Sequence, residues 1–191
     1  MLRVLLSGLA ALVGVSMTWC DTPTSLADMS VYPVGIHIPA IGVDGNQLIP
    51  LGLAKDHTLQ TPPLSTPQVG GWYTGASVPG DPGTAIIISH VDGNGKRGLF
   101  YDLSRVQVGD EISVDRSDGH MAVFTVTKVG LYCKERAACP AGGRVFPSAA
   151  FYSSQPQSEL HLVTCGGRFD AKDKNYLDAF VVFSTLTTTL G

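Results

Sequence analysis

Two short apolar runs in this chain each end on a residue type that can do covalent chemistry. Leu160-His161-Leu162-Val163-Thr164-Cys165 stops on a cysteine before Gly166 and Gly167. Ala85-Ile86-Ile87-Ile88-Ser89-His90 stops on a histidine before a glycine-rich loop. Runs of this length, leucine-rich or β-branched and closed by turn residues, read as buried strands. Alternation along a strand sets His161, Val163 and Cys165 on one face and Leu160, Leu162 and Thr164 on the other; Ile86, Ile88 and His90 likewise share a face. If the two strand ends are neighbours, a thiol meets an imidazole. The thiolate is the nucleophilic form, and an adjacent imidazolium or guanidinium favours it. A thioester formed with an acyl donor is then resolved by water or by an amine.

Each residue alone has an ordinary structural role, a buried cysteine or a hydrogen-bonded histidine. The pairing at two strand ends is what points to catalysis. The remaining histidines, His37, His57, His120 and His161, sit in a strand, a proline-rich stretch, beside a turn and inside the cysteine strand, and read as structural. Asp102, Asp110 and Asp170 do not have the spacing of a carboxylate pair. No glycine loop opening a helix is present to cradle a phosphate. Cys133 and Cys139 enclose five residues with no further His or Cys at ligand spacing, so they read as a local disulfide rather than a metal site. Cys165 is left without an obvious partner. No metal and no organic cofactor is expected.

The elements that must position these groups are strands. Ile36 to Asp44 is strand-like with Pro39 at an edge or bend. Residues 53–75 hold three prolines and read as an extended, wrapping segment that carries Trp72-Tyr73. Asp118-Gly119 between 108–114 and 121–129 is a hairpin signal. Leu99 to Leu103 reads as one helical turn, 131–152 as a long connection holding the two bridged cysteines, and 179–183 as the last strand. Seven or eight short strands without a regular helix alternation favour an all-β barrel or sandwich.

With 191 residues, 44% hydrophobic and 15% charged, the chain suits one domain with a real core. A formal net charge of −3 gives no nucleic-acid footprint. Arg3 precedes an uncharged apolar segment, 4–19, and Asp21 ends it, so the chain is expected to be exported. Both a cleaved signal peptide and an uncleaved membrane anchor fit residues 1–20, and bulky Trp19 before Cys20 makes a poor lipidation signal. Residues 21–34 read as a linker and 35–191 as the functional domain.

In order and spacing, several motifs together resemble the sortases, most closely the actinobacterial class F type. They are Ile38-Pro39-Ala40-Ile41-Gly42-Val43-Asp44, Pro50-Leu51-Gly52-Leu53, Gly71-Trp72-Tyr73 and Pro79-Gly80-Asp81-Pro82-Gly83. After them come Ser89-His90-Val91-Asp92-Gly93, Val108-Gly109-Asp110 and Leu162-Val163-Thr164-Cys165-Gly166-Gly167-Arg168-Phe169-Asp170. The resemblance implies a closed eight-stranded β-barrel with short helical turns. It also implies cleavage of a C-terminal sorting signal of the Leu-Pro-x-Thr-Gly kind and transfer of the acyl group to a cell-wall precursor amine at the extracytoplasmic face. Carried over, Cys165 is the nucleophile and His90 the general acid. Thr164 is a groove residue and oxyanion contact, and Asp92 is assigned with it to substrate binding. The stapled Cys133/Cys139 loop lies where sortases vary their substrate groove.

The chain departs from that pattern at one point. The resemblance implies an arginine about a dozen residues after the cysteine, where this sequence reads Asn175-Tyr176-Leu177-Asp178. Arg168 is the only arginine after Cys165 and is assigned the role; Lys174, Arg97 and Arg144 are the alternatives. Two rival readings stand beside the transpeptidase: a peptide hydrolase using the same thioester, and an inert barrel that binds sorting signals or cell-wall partners. The His-Gly and Ser-x-Gly-Cys pattern of L,D-transpeptidases is absent around His90 and Cys165.

Overall fold

The computed structural model describes residues 30–55, 57–148 and 156–191. The expected leader, 1–20, and most of the expected linker lie outside these residues; the linker's last two, Pro33 and Val34, begin the first strand.

Ten strands form: β1 (Pro33–Ile38), β2 (Val43–Leu51), β3 (Gly70–Tyr73), β4 (Gly83–Ile88), β5 (Asp92–Gly93), β6 (Lys96–Arg97), β7 (Glu111–Arg116), β8 (Met121–Cys133), β9 (Ser158–Asp170) and β10 (Asn175–Leu190). Eight close into a barrel in the order β1-β2-β3-β4-β9-β10-β8-β7, and β5 and β6 make a separate two-stranded hairpin. The complete helical elements among the described residues are two single 3-10 turns, Pro39–Ile41 and Leu103–Arg105. This is the all-β closed barrel with short helical turns that the sequence leads one to expect.

Local sequence explains the element ends. Pro39 lacks the N–H needed to continue a ladder, so β1 stops before it. The expected hairpin forms around Asp118-Gly119, with Asp115 opposite Met121 and Arg116 N donating to His120 O at 2.9 Å. Beyond that point expectation and structure part. β8 runs on to Cys133 instead of ending near 129, and β9 and β10 extend far past their apolar runs. β10 is paired on both sides, to β8 and to β9, so the ladders carry polar residues that composition alone assigns to loops.

The strand pair that matters most is β4 and β9. They run parallel, with Ile86 opposite His161 and Ile88 opposite Val163. Both faces of this pair are covered. Ala85, Ile87, Leu160 and Leu162 fill the barrel interior with Ile36, Ile112, Phe100 and Phe124. Ile86 packs outside with Tyr132 and Val181, against Ile88, Val163 and Phe183. Burial on two faces is why these runs are continuously apolar. Each fully buried Ile or Leu contributes about 1.5–3 kcal/mol, so the floor on which the two chemical residues stand is among the firmest parts of the fold.

Candidate active site

The parallel register brings Cys165 and His90 together. Ile88 faces Val163 and Ser89 N donates to Val163 O at 3.2 Å, and His90 and Cys165 each lie two residues further along. Two residues is one strand period, so both side chains share the outer face of the barrel wall. Both line a cavity of about 540 Å³ whose walls include Ile88, Asp92, Lys134, Val163, Thr164, Phe169, Lys174 and Tyr176, with Thr61 and Leu64 from the proline-rich segment.

His90 is fixed from two directions. Its Nε2 lies 2.6 Å from Pro62 O; a carbonyl can only accept, so Nε2 carries the proton of this bond and Nδ1 is the nitrogen left to exchange one. Its own carbonyl accepts from Phe100 N at 3.1 Å. Cys165 is half-buried and is the unbridged cysteine among the described residues. Lys134 Nζ donates to its Sγ at 3.2 Å and also lies 3.5 Å from Asn175 Oδ1. Sequence reasoning missed Lys134. Its position follows from cross-strand register: Cys165 is opposite Ala179 on β10, Ala179 is opposite Tyr132 on β8, and Lys134 stands two residues beyond Tyr132.

The two residues expected to meet substrate are both in the wall. Thr164 is 3% exposed, and its hydroxyl has no hydrogen-bond partner among the described residues. Thr164 alternates with Cys165 along β9, so its side chain turns to the face of Leu160 and Leu162. Asp92 accepts from Tyr176 Oη at 3.0 Å, joining the hairpin after His90 to the start of β10. Burial, followed by this carboxylate, pushes the Tyr176 phenol up, so it remains a donor.

Arg168 is not brought to Cys165. Gly166 is paired with Asp178 and Phe169 with Tyr176, so β9 holds an extra residue opposite β10. Gly167 takes up that bulge at φ +68°, where a Cβ would also lie 2.6 Å from Asp178 Oδ2. The guanidinium turns to the buried Asp178, with Nε to Oδ2 at 2.9 Å and Nη2 to Oδ1 at 2.6 Å, and Nη1 donates to Ala138 O at 2.8 Å. Arg168 holds the Asp178 carboxyl below the usual carboxylate range against the effect of burial. Arg97 lies over the Tyr101 ring and Arg144 over the Tyr132 ring, and neither lines the cavity. Of the alternative cations, Lys174 does line it.

Cys133 and Cys139 are joined by a disulfide, the local staple expected from their spacing. Among the described residues no group of three His, Cys, Asp or Glu side chains converges as a metal site. Two of the histidines set aside as structural have clear packing roles. His161 packs edge-on against Phe183 at 4.7 Å, and His37 is held between Asp44 and Asp115.

Comparison with known proteins identifies the family and the fold. The family model of the sortase domain matches residues 36–187. No curated protein gives a significant sequence match. Among solved structures the chain is similar to Streptococcus agalactiae sortase C1 in its complex with MTSET, at 19% identity and TM-score 0.56, covering 80% of this chain and 66% of that one. It is also similar to Listeria monocytogenes sortase A, at 15% identity and TM-score 0.57, covering 85% and 90%. The chain spans 63–66% of the length of the Streptococcus agalactiae sortase C1 structures it resembles. At these identities the shared property is the fold. With the family model matching most of the chain and the barrel matching in three dimensions, this protein belongs to the sortase family, a family of cysteine transpeptidases.

Proposed function

We propose that this chain is a transpeptidase of class F type. It cleaves a C-terminal sorting signal of the Leu-Pro-x-Thr-Gly kind and transfers the acyl group to an amine of the cell-wall precursor, at the extracytoplasmic face after export. The observation that carries this reading is the level register of β4 and β9, with Cys165 and His90 lining one cavity. The apolar wall of Ile88, Val163, Leu64 and Phe169 suits a peptide that presents leucine and proline.

The chemistry then runs in two balanced halves. The Cys165 thiolate attacks the scissile carbonyl carbon, the C–N bond breaks, and the His90 imidazolium gives its proton to the departing amine. The acceptor amine next attacks the thioester carbonyl and returns a proton to the now neutral His90. The C–S bond breaks and the thiolate is restored. Thr164, beside Cys165 in the cavity wall, is assigned to the groove and to contact with the oxyanion that forms in each half.

The test is incubation of the full chain with a Leu-Pro-x-Thr-Gly peptide and an amine, followed by mass spectrometry. An acyl adduct on Cys165 that resolves to the amine product supports the reading. His90→Ala should lower kcat by roughly 10²–10⁴-fold, and Cys165→Ala should abolish turnover. Release of free acid even with amine in excess makes the chain a hydrolase. Peptide affinity retained by Cys165→Ala, with no adduct on the wild type, makes it a binding module.

A further inference from the structure

The cation that touches the nucleophile is a lysine in the loop that follows β8, one residue past the strand's end. Lys134 Nζ lies 3.2 Å from Cys165 Sγ, while Arg168 is committed to Asp178 and Ala138. An exposed ammonium on a four-carbon stem is a weak partner by default, because holding it in one place costs side-chain entropy and water screens it. Its worth depends on what anchors the chain beneath it.

Here both ends of the segment that carries it are anchored. The Cys133–Cys139 disulfide closes a loop that begins one residue before Lys134. Lys134 N donates to Leu177 O at 3.0 Å, Cys133 N to Arg144 O at 2.8 Å, and Phe146 N to Cys133 O at 2.9 Å. At the far end Ala138 O accepts from Arg168 Nη1 at 2.8 Å. Arg168 is itself locked by three hydrogen bonds to Asp178, two from its guanidinium and one from its backbone N–H, and Asp178 is 3% exposed. The arginine thus secures the loop that presents the lysine.

We propose that Lys134 is the catalytic cation that stabilises the Cys165 thiolate, and that the disulfide-stapled loop 133–139, tied down by Arg168, is the clamp that holds it there. Arg168 is in this scheme a positioning residue. The proposal rests on reading Cys165 as the nucleophile.

The test compares the full chain as wild type, Lys134→Ala, Lys134→Arg and the double Cys133→Ser, Cys139→Ser variant. It measures the rate of iodoacetamide alkylation at neutral pH, assigned to Cys165 by peptide mass spectrometry because Cys20 is also a cysteine. Lys134→Ala should slow alkylation about fivefold, and Lys134→Arg should recover most of the loss. The double serine variant, with Lys134 intact, should slow it by roughly half as much on a logarithmic scale. Thermal unfolding of Lys134→Ala should be unchanged, since the side chain is exposed. Wild-type alkylation in Lys134→Ala overturns the cation, and wild-type alkylation in the double variant overturns the clamp. If that variant fails to fold, reducing the bridge of the folded wild type with a phosphine, then desalting and alkylating, gives the same reading. Slowed alkylation in Lys134→Ala with no transfer product from the wild type overturns the transpeptidase reading and leaves the lysine assignment standing.

Discussion

Gly98 has no side chain, yet the position of His90 depends on it. A Cβ built there would lie 2.0 Å from His90 O and 2.6 Å from its carbonyl carbon. Main chain cannot yield as a side-chain tip can, so Gly98→Ala must displace His90 or the Gly98 N to Val91 O bond of 2.9 Å. We expect kcat to fall at least tenfold, since a shift of about 1 Å at a catalytic group costs on that order or more; a crystal structure of the variant should show the displaced His90. Unchanged turnover in Gly98→Ala would contradict the assignment of His90. Thr164→Val tests the opposite case, a hydroxyl proposed for the chemistry that has no hydrogen-bond partner among the described residues. Removing an unsatisfied buried hydroxyl from an isosteric side chain should leave Tm unchanged or raised. If that hydroxyl serves the oxyanion, kcat should drop about 10²-fold at constant KM; an unchanged kcat removes Thr164 from the chemistry.

At the scale of elements, the bulge in β9 decides which cation reaches the thiol. A count along the sequence places Arg168 close to Cys165, but the extra residue at Gly167 turns it toward Asp178. Strand periodicity identified Cys165 and His90 because β4 and β9 are buried on both faces and read as unbroken apolar runs. Lys134 was illegible for the complementary reason: three strands and two cross-strand registers separate it from Cys165, and neither register is written in the local sequence. The same ion pair predicts an acid response. The Asp178 carboxyl is held below its ordinary range first by its hydrogen bonds to the Arg168 side chain. A depressed carboxyl stabilises the fold above its unfolded-state value, and that contribution fades as pH falls through the folded-state value. Wild type should therefore lose more Tm than Asp178→Asn when both are scanned from pH 6 to pH 3, about 3 lying below the ordinary aspartate range. Parallel losses in the two proteins would show that the pair does not set acid stability.

Across the whole molecule, the seam that closes the barrel and the wall that carries the chemistry lie on opposite sides. β1 and β9 are four strands apart in either direction around the ring. The seam between β1 and β7 is fastened by His37, whose Nε2 lies 2.7 Å from Asp115 on β7 and whose Nδ1 lies 2.8 Å from Asp44 on β2. One imidazole thus ties three strands together, and the hydrogen bond to Asp115 is the chief cause that raises its pKa above the ordinary value, with burial opposing. A histidine with a raised folded-state value contributes its full stabilisation below the ordinary value of about 6.5. That contribution disappears as pH rises through the folded-state value, when the ring loses the proton that lets both nitrogens donate. His37→Gln should therefore lower Tm most near pH 6, with the gap to wild type narrowing toward pH 9. Its kcat should match wild type wherever both are folded, because none of His37, Asp44 and Asp115 lines the cavity of Cys165. A gap that stays constant with pH would mean that His37 serves by shape alone. A changed kcat in the folded variant would mean that strain at the seam is transmitted across the barrel to β9.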